Sequence, residues 1–164
     1  MVRFKRILRW GLVGIGGLGL LASIGLAVTA RTVKRPANLG VVAGRLAVCP
    51  PDPNCVSSQA DDALHQIAPL AYTGTTAAAM QHLVAIVQAQ PRTTILQATP
   101  TYLAVVFRSA TFQFPDDGEF VVDEANKLIH FRSASRIGKG DMGVNRARMT
   151  TISRLFTAQA GASN

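Results

Sequence analysis

The stretch "DDGEFVVDEANKLIHFRSASR", residues 116–136, reads as a β-hairpin with Ala125-Asn126 at its centre. If Glu124 faces Lys127, then Val122 faces Ile129, Phe120 faces Phe131 and Glu119 faces Arg132. The apolar pairs then share one side of the ribbon and the charged pair takes the other, as a half-buried sheet requires. A slip of one residue would turn every side chain over, so the pattern itself selects the register.

Two further runs with strand character precede the hairpin, "RTTILQA" (92–98) and "TYLAVVFRSATFQF" (101–114), separated by the turn residues Thr99-Pro100. In the second, Leu103, Val105 and Phe107 share one face, and Tyr102, Ala104, Val106 and Arg108 the other. Helical periodicity brackets these strands. In "TTAAAMQHLVAIVQAQP" (75–91), Thr75 or Thr76 is placed to cap, and Met80, Leu83, Val84 and Val87 form one stripe. Pro91 ends that helix, and His82 falls on its solvent side. A second helix is expected over about 143–158, with Met149, Ile152, Leu155 and Phe156 buried and Asn145 and Arg148 at the border of the stripe. Residues 46–72 read as mostly extended, since Pro69 forbids a long helix there. The expected fold is α+β: an antiparallel sheet of about four strands with two helices on one face.

The 164 residues carry a formal charge of +8, which resembles a nucleic-acid signature until it is divided along the chain. Arg3, Lys5, Arg6 and Arg9 precede the uncharged run "WGLVGIGGLGLLASIGLAVTA" (10–30), and Arg31, Lys34 and Arg35 follow it. Removing these seven leaves ten basic residues against nine acidic ones, too even a balance for a phosphodiester-binding face. No nucleic-acid partner is expected. The 21 uncharged residues suffice to span a hydrocarbon layer, for which about 20 are needed. A cleavable signal usually has a shorter apolar region, so an uncleaved anchor is favoured, although Val28-Thr29-Ala30 resembles a cleavage site. The organisation read from this is a signal-anchor transmembrane helix (1–30), a juxtamembrane tether (31–45), an exported domain (46–158) and a flexible tail (159–164). The expected location is a single-pass membrane protein with its C-terminal domain outside the cytoplasm, in contact with membrane lipid through the N-terminal helix.

The two cysteines, Cys49 and Cys55 in "CPPDPNC", have neither zinc nor C-x-x-C redox spacing, and His65, His82 and His130 are scattered. A short structural disulfide in an oxidising compartment is the natural reading. No metal or cofactor motif is present.

One region reads as a candidate site. In "RSASRIGKGDMGVNRAR" (132–148), a strand runs into a glycine-containing loop and then a helix N-terminus. Arg132, Arg136, Lys139, Asn145, Arg146 and Arg148 gather there, as an anion site built on a helix end would require. The competing reading is a salt-bridged corner, with Asp141 capping the helix and the acidic cluster Asp116, Asp117 and Glu119 neutralising the arginines. That cluster, with His130 or Arg132, also raises a hydrolase-like alternative, although no nucleophile, base and orienting trio is spelled out.

"CPPDPNCVSSQ", "FPDDGEF" and "RSASRIGKGDMGVNRAR", in this order and spacing, resemble the uncharacterised domain-of-unknown-function family DUF1499 of bacteria and plastids. The likeness covers Leu46 to Phe156 and departs at Gly118, where the family is expected to carry an apolar residue. It implies that Cys49, Cys55, Asp116, Asp117, Glu119, Arg132, Arg136, Asp141, Asn145 and Arg148 belong together, and implies no activity. The function expected is an extracytoplasmic envelope module whose Arg/Gly corner contacts an anionic ligand or a protein partner. A hydrolase-like enzyme and a purely structural domain are the alternatives.

Overall fold

The computed structural model describes residues 21–160. Most of the expected membrane span, and the tail from residue 161 onward, lie outside them. Residues 21–32 are helical (α1), and among the described residues no helix is long and apolar enough to cross a membrane. Then follow β1 (Cys55–Ser57), β2 (Leu70–Ala71), α2 (Thr76–Gln88), β3 (Thr93–Ala98), β4 (Tyr102–Arg108), β5 (Pro115–Asp123), β6 (Leu128–Ser135) and α3 (Val144–Ala160). The protein is α+β, with every strand pairing antiparallel.

Strands β3 to β6 form a meander, and its last hairpin has the register that the sequence pattern selects: Glu119 opposite Arg132, Phe120 opposite Phe131, Val122 opposite Ile129. The turn is a little longer than a two-residue centre. Asp123 pairs with Leu128, and Lys127 takes a left-handed conformation at φ 54°. Asp123 Oδ1 accepts from Asn126 N–H, an Asx-type bond that closes the turn. Two strands go beyond the expected four. The short β1 and β2 both pair with β6 and cover what would otherwise be an open sheet edge.

Both helices lie on one face. Thr75 caps α2 by accepting from Ala78 N–H, and Met80, Leu83, Ile86 and Val87 are buried with Met149, Ile152 and Phe156 of α3. They pack on Leu103, Val105, Phe107, Phe120, Ile129 and Phe131 of the sheet. His82 is not the solvent-facing residue expected. It is half-buried, its ring stacked on Phe156 at 4.9 Å between centroids, because α3 lies close beside α2.

The other face of the sheet is also covered. Val33 O accepts from Arg136, Arg35 lies 3.6 Å from Asp117, and Gly40 N–H donates to Glu119 Oε1 at 2.7 Å. The stretch read as a tether therefore lies as a strap across β5. Ala104, Val106, Val121 and Ala134, which point to this side, are buried.

Gly118 sits at the centre of the helix-side face, opposite Val105 and Ser133. A Cβ there would stand 2.6 Å from the Phe107 ring and 2.8 Å from Val105 Cγ2. The Phe107 ring occupies the volume that a side chain at residue 118 would need. Gly118→Val should cost about 1–3 kcal/mol through overpacking, measurable as a shift of the urea unfolding midpoint.

Candidate functional site

Alternation along β5 divides the acidic cluster. Asp116 points to the helix side, while Asp117 and Glu119 point to the strap side. The sheet stands between Asp116 and the other two, so the three carboxylates do not share one cleft.

On the helix side, Asp116 Oδ1 accepts from Ser135 Oγ–H at 2.6 Å and Oδ2 from Arg148 at 2.8 Å. Arg148 also donates to Asn145 Oδ1 and covers the Phe107 ring, its Cζ 4.5 Å from the ring centroid. The fully buried Asn145 accepts from Ser133 Oγ–H as well, and its amide faces Asn54 O, Ser135 Oγ and Asp141 Oδ2. Asn54 in turn donates to Gly138 O. Asp141 accepts from the backbone N–H of Gly143 and Asn145, filling the first-turn donors of α3 that an anion would use. Arg146 donates to the carbonyls of Leu64 and Gln66. Lys139 is exposed on the loop. The corner is a polar network that fixes the start of α3 to the ends of β5 and β6, with Asn54 Oδ1 as its buried atom without a partner among the described residues.

On the strap side, Arg136 grips Asp117 with two parallel bonds of 2.7 Å each. Glu119 is fully buried, and its Oε1 accepts from Tyr102 O–H at 2.6 Å and from Gly40 N–H, while Oε2 has no partner among the described residues. Burial, reinforced by the hydrogen bond and charge of Glu119, pushes the Tyr102 hydroxyl up to about 12, against the opposing pull of Arg35.

Arg132 differs from the other arginines. It is 7 % exposed, and its Nε has no hydrogen-bond partner among the described residues. No acidic oxygen among these residues lies within salt-bridge distance of it. Burial pulls its pKa down, and the charges of Glu119 and Asp117 oppose that pull without contact. Its guanidinium faces a cleft of about 330 Å³, between the strap residues Pro36 and Asn38, the segment Val48 to Pro50, and Asp117, Ala134 and Arg136 of the sheet. The disulfide Cys49–Cys55, with 5.7 Å between its Cα atoms, ties that segment to β1. The strap, Tyr102 and Asn54 carry parts of both networks that the sequence pattern did not expose.

Of the expected anion-site residues, then, Arg136, Asn145, Arg146 and Arg148 hold internal partners, Lys139 lies on the surface, and Arg132 faces a cleft. A family model described as a protein of unknown function (DUF1499) matches residues 45–156, and the chain belongs to that family. No curated protein and no solved structure matches it.

Two outcomes test this geometry. Arg148→Met strands the Asp116 carboxylate, and should cost about 3 kcal/mol in urea unfolding, the low end for breaking a buried pair because both groups retain slight exposure. Tyr102 is more acidic in the unfolded chain, at 10.0, than in the fold, at about 12. Its contribution is therefore intact below the first value and lost as pH rises through the second. Tyr102→Phe should flatten that part of the stability curve.

Proposed function

We propose that this chain is a membrane-anchored, extracytoplasmic binding module that holds a singly charged phosphate group, that of a lipid headgroup, on Arg132. The observation that carries this reading is a buried arginine, lining a cleft, whose Nε has no hydrogen-bond partner among the described residues. Burying a cation is costly unless it is paired and hydrogen-bonded. An oxyanion in the cleft would supply both the charge and the acceptors.

The charge around the cleft fits a monoanion. Arg35, Arg132 and Arg136 stand against Asp117 and Glu119, leaving one net positive charge. The position fits a headgroup. Pro36 and Asn38 line the cleft a few residues beyond the end of α1 at residue 32, and Arg31 and Lys34 are exposed beside it. If residues 10–30 span the bilayer, the cleft lies at the level of the headgroups. The bridged cysteines support an oxidising compartment. The internally paired arginines and acids of the α3 corner favour a purely structural domain as a second reading, and Arg132 is the residue that separates the two.

Native mass spectrometry of the full chain in detergent tests the reading. The wild type should retain phosphatidylglycerol, and Arg132→Met should retain it at least tenfold less, the loss expected for a charge-assisted hydrogen bond. A melting temperature kept within a few degrees would show that the fold survives. Equal retention in both forms would overturn the reading. Stabilisation of the wild type by inorganic phosphate, without lipid retention, would point instead to a soluble anion.

A further inference from the structure

His130 lies on the strap-side face of β6 with Arg132 but opens into a different cleft, of about 810 Å³, whose walls include Arg45, Ser58, Asp61, Asp123 and Glu124. Ser58 Oγ is 3.2 Å from His130 Nδ1, and His130 Nε2 is 3.9 Å from Asp123 Oδ2. We propose that Ser58 is a nucleophile with His130 as its general base and Asp123 as a positioning residue, and that this cleft cleaves a carboxylic ester.

The hydrogen bonds decide which tautomer is reactive. Phe131 N–H donates to Ser58 Oγ at 2.8 Å, so one lone pair is already used. The hydroxyl proton then has two acceptors in reach, His130 Nδ1 at 3.2 Å and Phe131 O at 3.4 Å. Donation to Nδ1 requires the ring proton to sit on Nε2, the nitrogen that faces Asp123. The carboxylate therefore favours the tautomer that leaves Nδ1 free to take a proton, the logic of a Ser-His-Asp triad with the two ring nitrogens exchanged. The Phe131 N–H also stabilises negative charge developing on Oγ. Asp123 is held in place by the N–H and side-chain amide of Asn126, which keep its carboxyl below the usual range. Arg45, anchored to Gln59 O at 2.9 Å, lines the same cleft and brings positive charge to it.

In the reaction, the Ser58 Oγ–carbon bond forms as the carbonyl pair moves onto oxygen, and the hydroxyl proton passes to Nδ1. Collapse breaks the ester C–O bond, and the departing alcohol takes that proton. A water then repeats the sequence, losing its proton to Nδ1, and releases the carboxylic acid and free Ser58.

The test is labelling of the detergent-solubilised full chain with a fluorophosphonate, which forms an Oγ–P bond as fluoride leaves. Peptide mass mapping should find the label on Ser58, and His130→Gln should label at least 100-fold more slowly, as expected for loss of a general base. The charged groups around the His130 ring are Asp123 and Glu124 on its own hairpin, Asp61 beyond β1, and Arg45 on the strap. Asp123→Asn, which keeps an acceptor for Asn126 N–H, should slow labelling several-fold, and Asp123→Glu should restore part of the rate. Absence of label on Ser58 in the wild type, or equal labelling rates in wild type and His130→Gln, would overturn the proposal.

Discussion

A strand places successive side chains on opposite faces, and in this protein both faces of the sheet are covered along β4 and most of β5. Asp116, Asp117 and Glu119 on β5, and Arg132 on β6, therefore have no solvent-facing side to occupy. Each buried charge must find a partner within the fold or carry a desolvation cost. Asp116 finds Arg148 across the helix face, and Asp117 finds Arg136 on the strap face. Glu119 is held by a tyrosine hydroxyl and a strap amide rather than by a cation. The strap, the α3 corner and the Arg132 cleft are three consequences of that one constraint.

The sequence carried the helix-facing half of this arrangement. Apolar alternation in 116–136 specified the hairpin register, and the stripes of α2 and α3 specified which surfaces meet the sheet. Asp141 and the arginine-rich loop announced a capped, charged corner. The second face was harder to read, because its covering layer has no period: residues 33–50 are held to the sheet through single backbone groups, the Arg35–Asp117 pair and a disulfide to β1, not through an amphipathic stripe. One signal was present. "YLAVVFR" is apolar on both parities, and a strand buried on both faces reads as a nearly continuous hydrophobic run. Taken with a fully buried glutamate opposite an arginine, that run calls for a second layer. The Ser58, His130 and Asp123 group was hidden for a different reason. Its members come from the end of β1 and from the hairpin, and the pairing of β1 with β6 is set by three short residue pairs.

The two clefts draw on the same sheet face but on different chemistry. At Arg132 the sheet offers a fixed positive charge that is mostly withdrawn from solvent, where charges interact more strongly than in water. At His130 it offers a ring whose two nitrogens are differentiated by their neighbours. Residues 130 and 132 alternate with Phe131, which points into the helix-side core. The rigid packing of Phe131 on Phe120, with ring centroids 6.0 Å apart, therefore fixes the backbone from which both polar side chains project. Precision on the strap side is a by-product of packing on the helix side.

The disulfide joins these levels. Cys55 lies in β1, opposite Ala134, and Cys49 belongs to the segment that closes the Arg132 cleft. A bridge over so short a loop adds little chain entropy, the more so because Pro50, Pro51 and Pro53 already restrict the unfolded loop. Its stronger effect is positional, since it fixes one wall of the cleft to an edge strand that is itself only three residues long. At the other end of the strap, Arg35, Val33 and Gly40 fix the chain leaving α1 to β5 and Arg136. Tied at both ends, the strap from Val33 to Cys49 lies fixed on the sheet, which a flexible tether of the same length would not do.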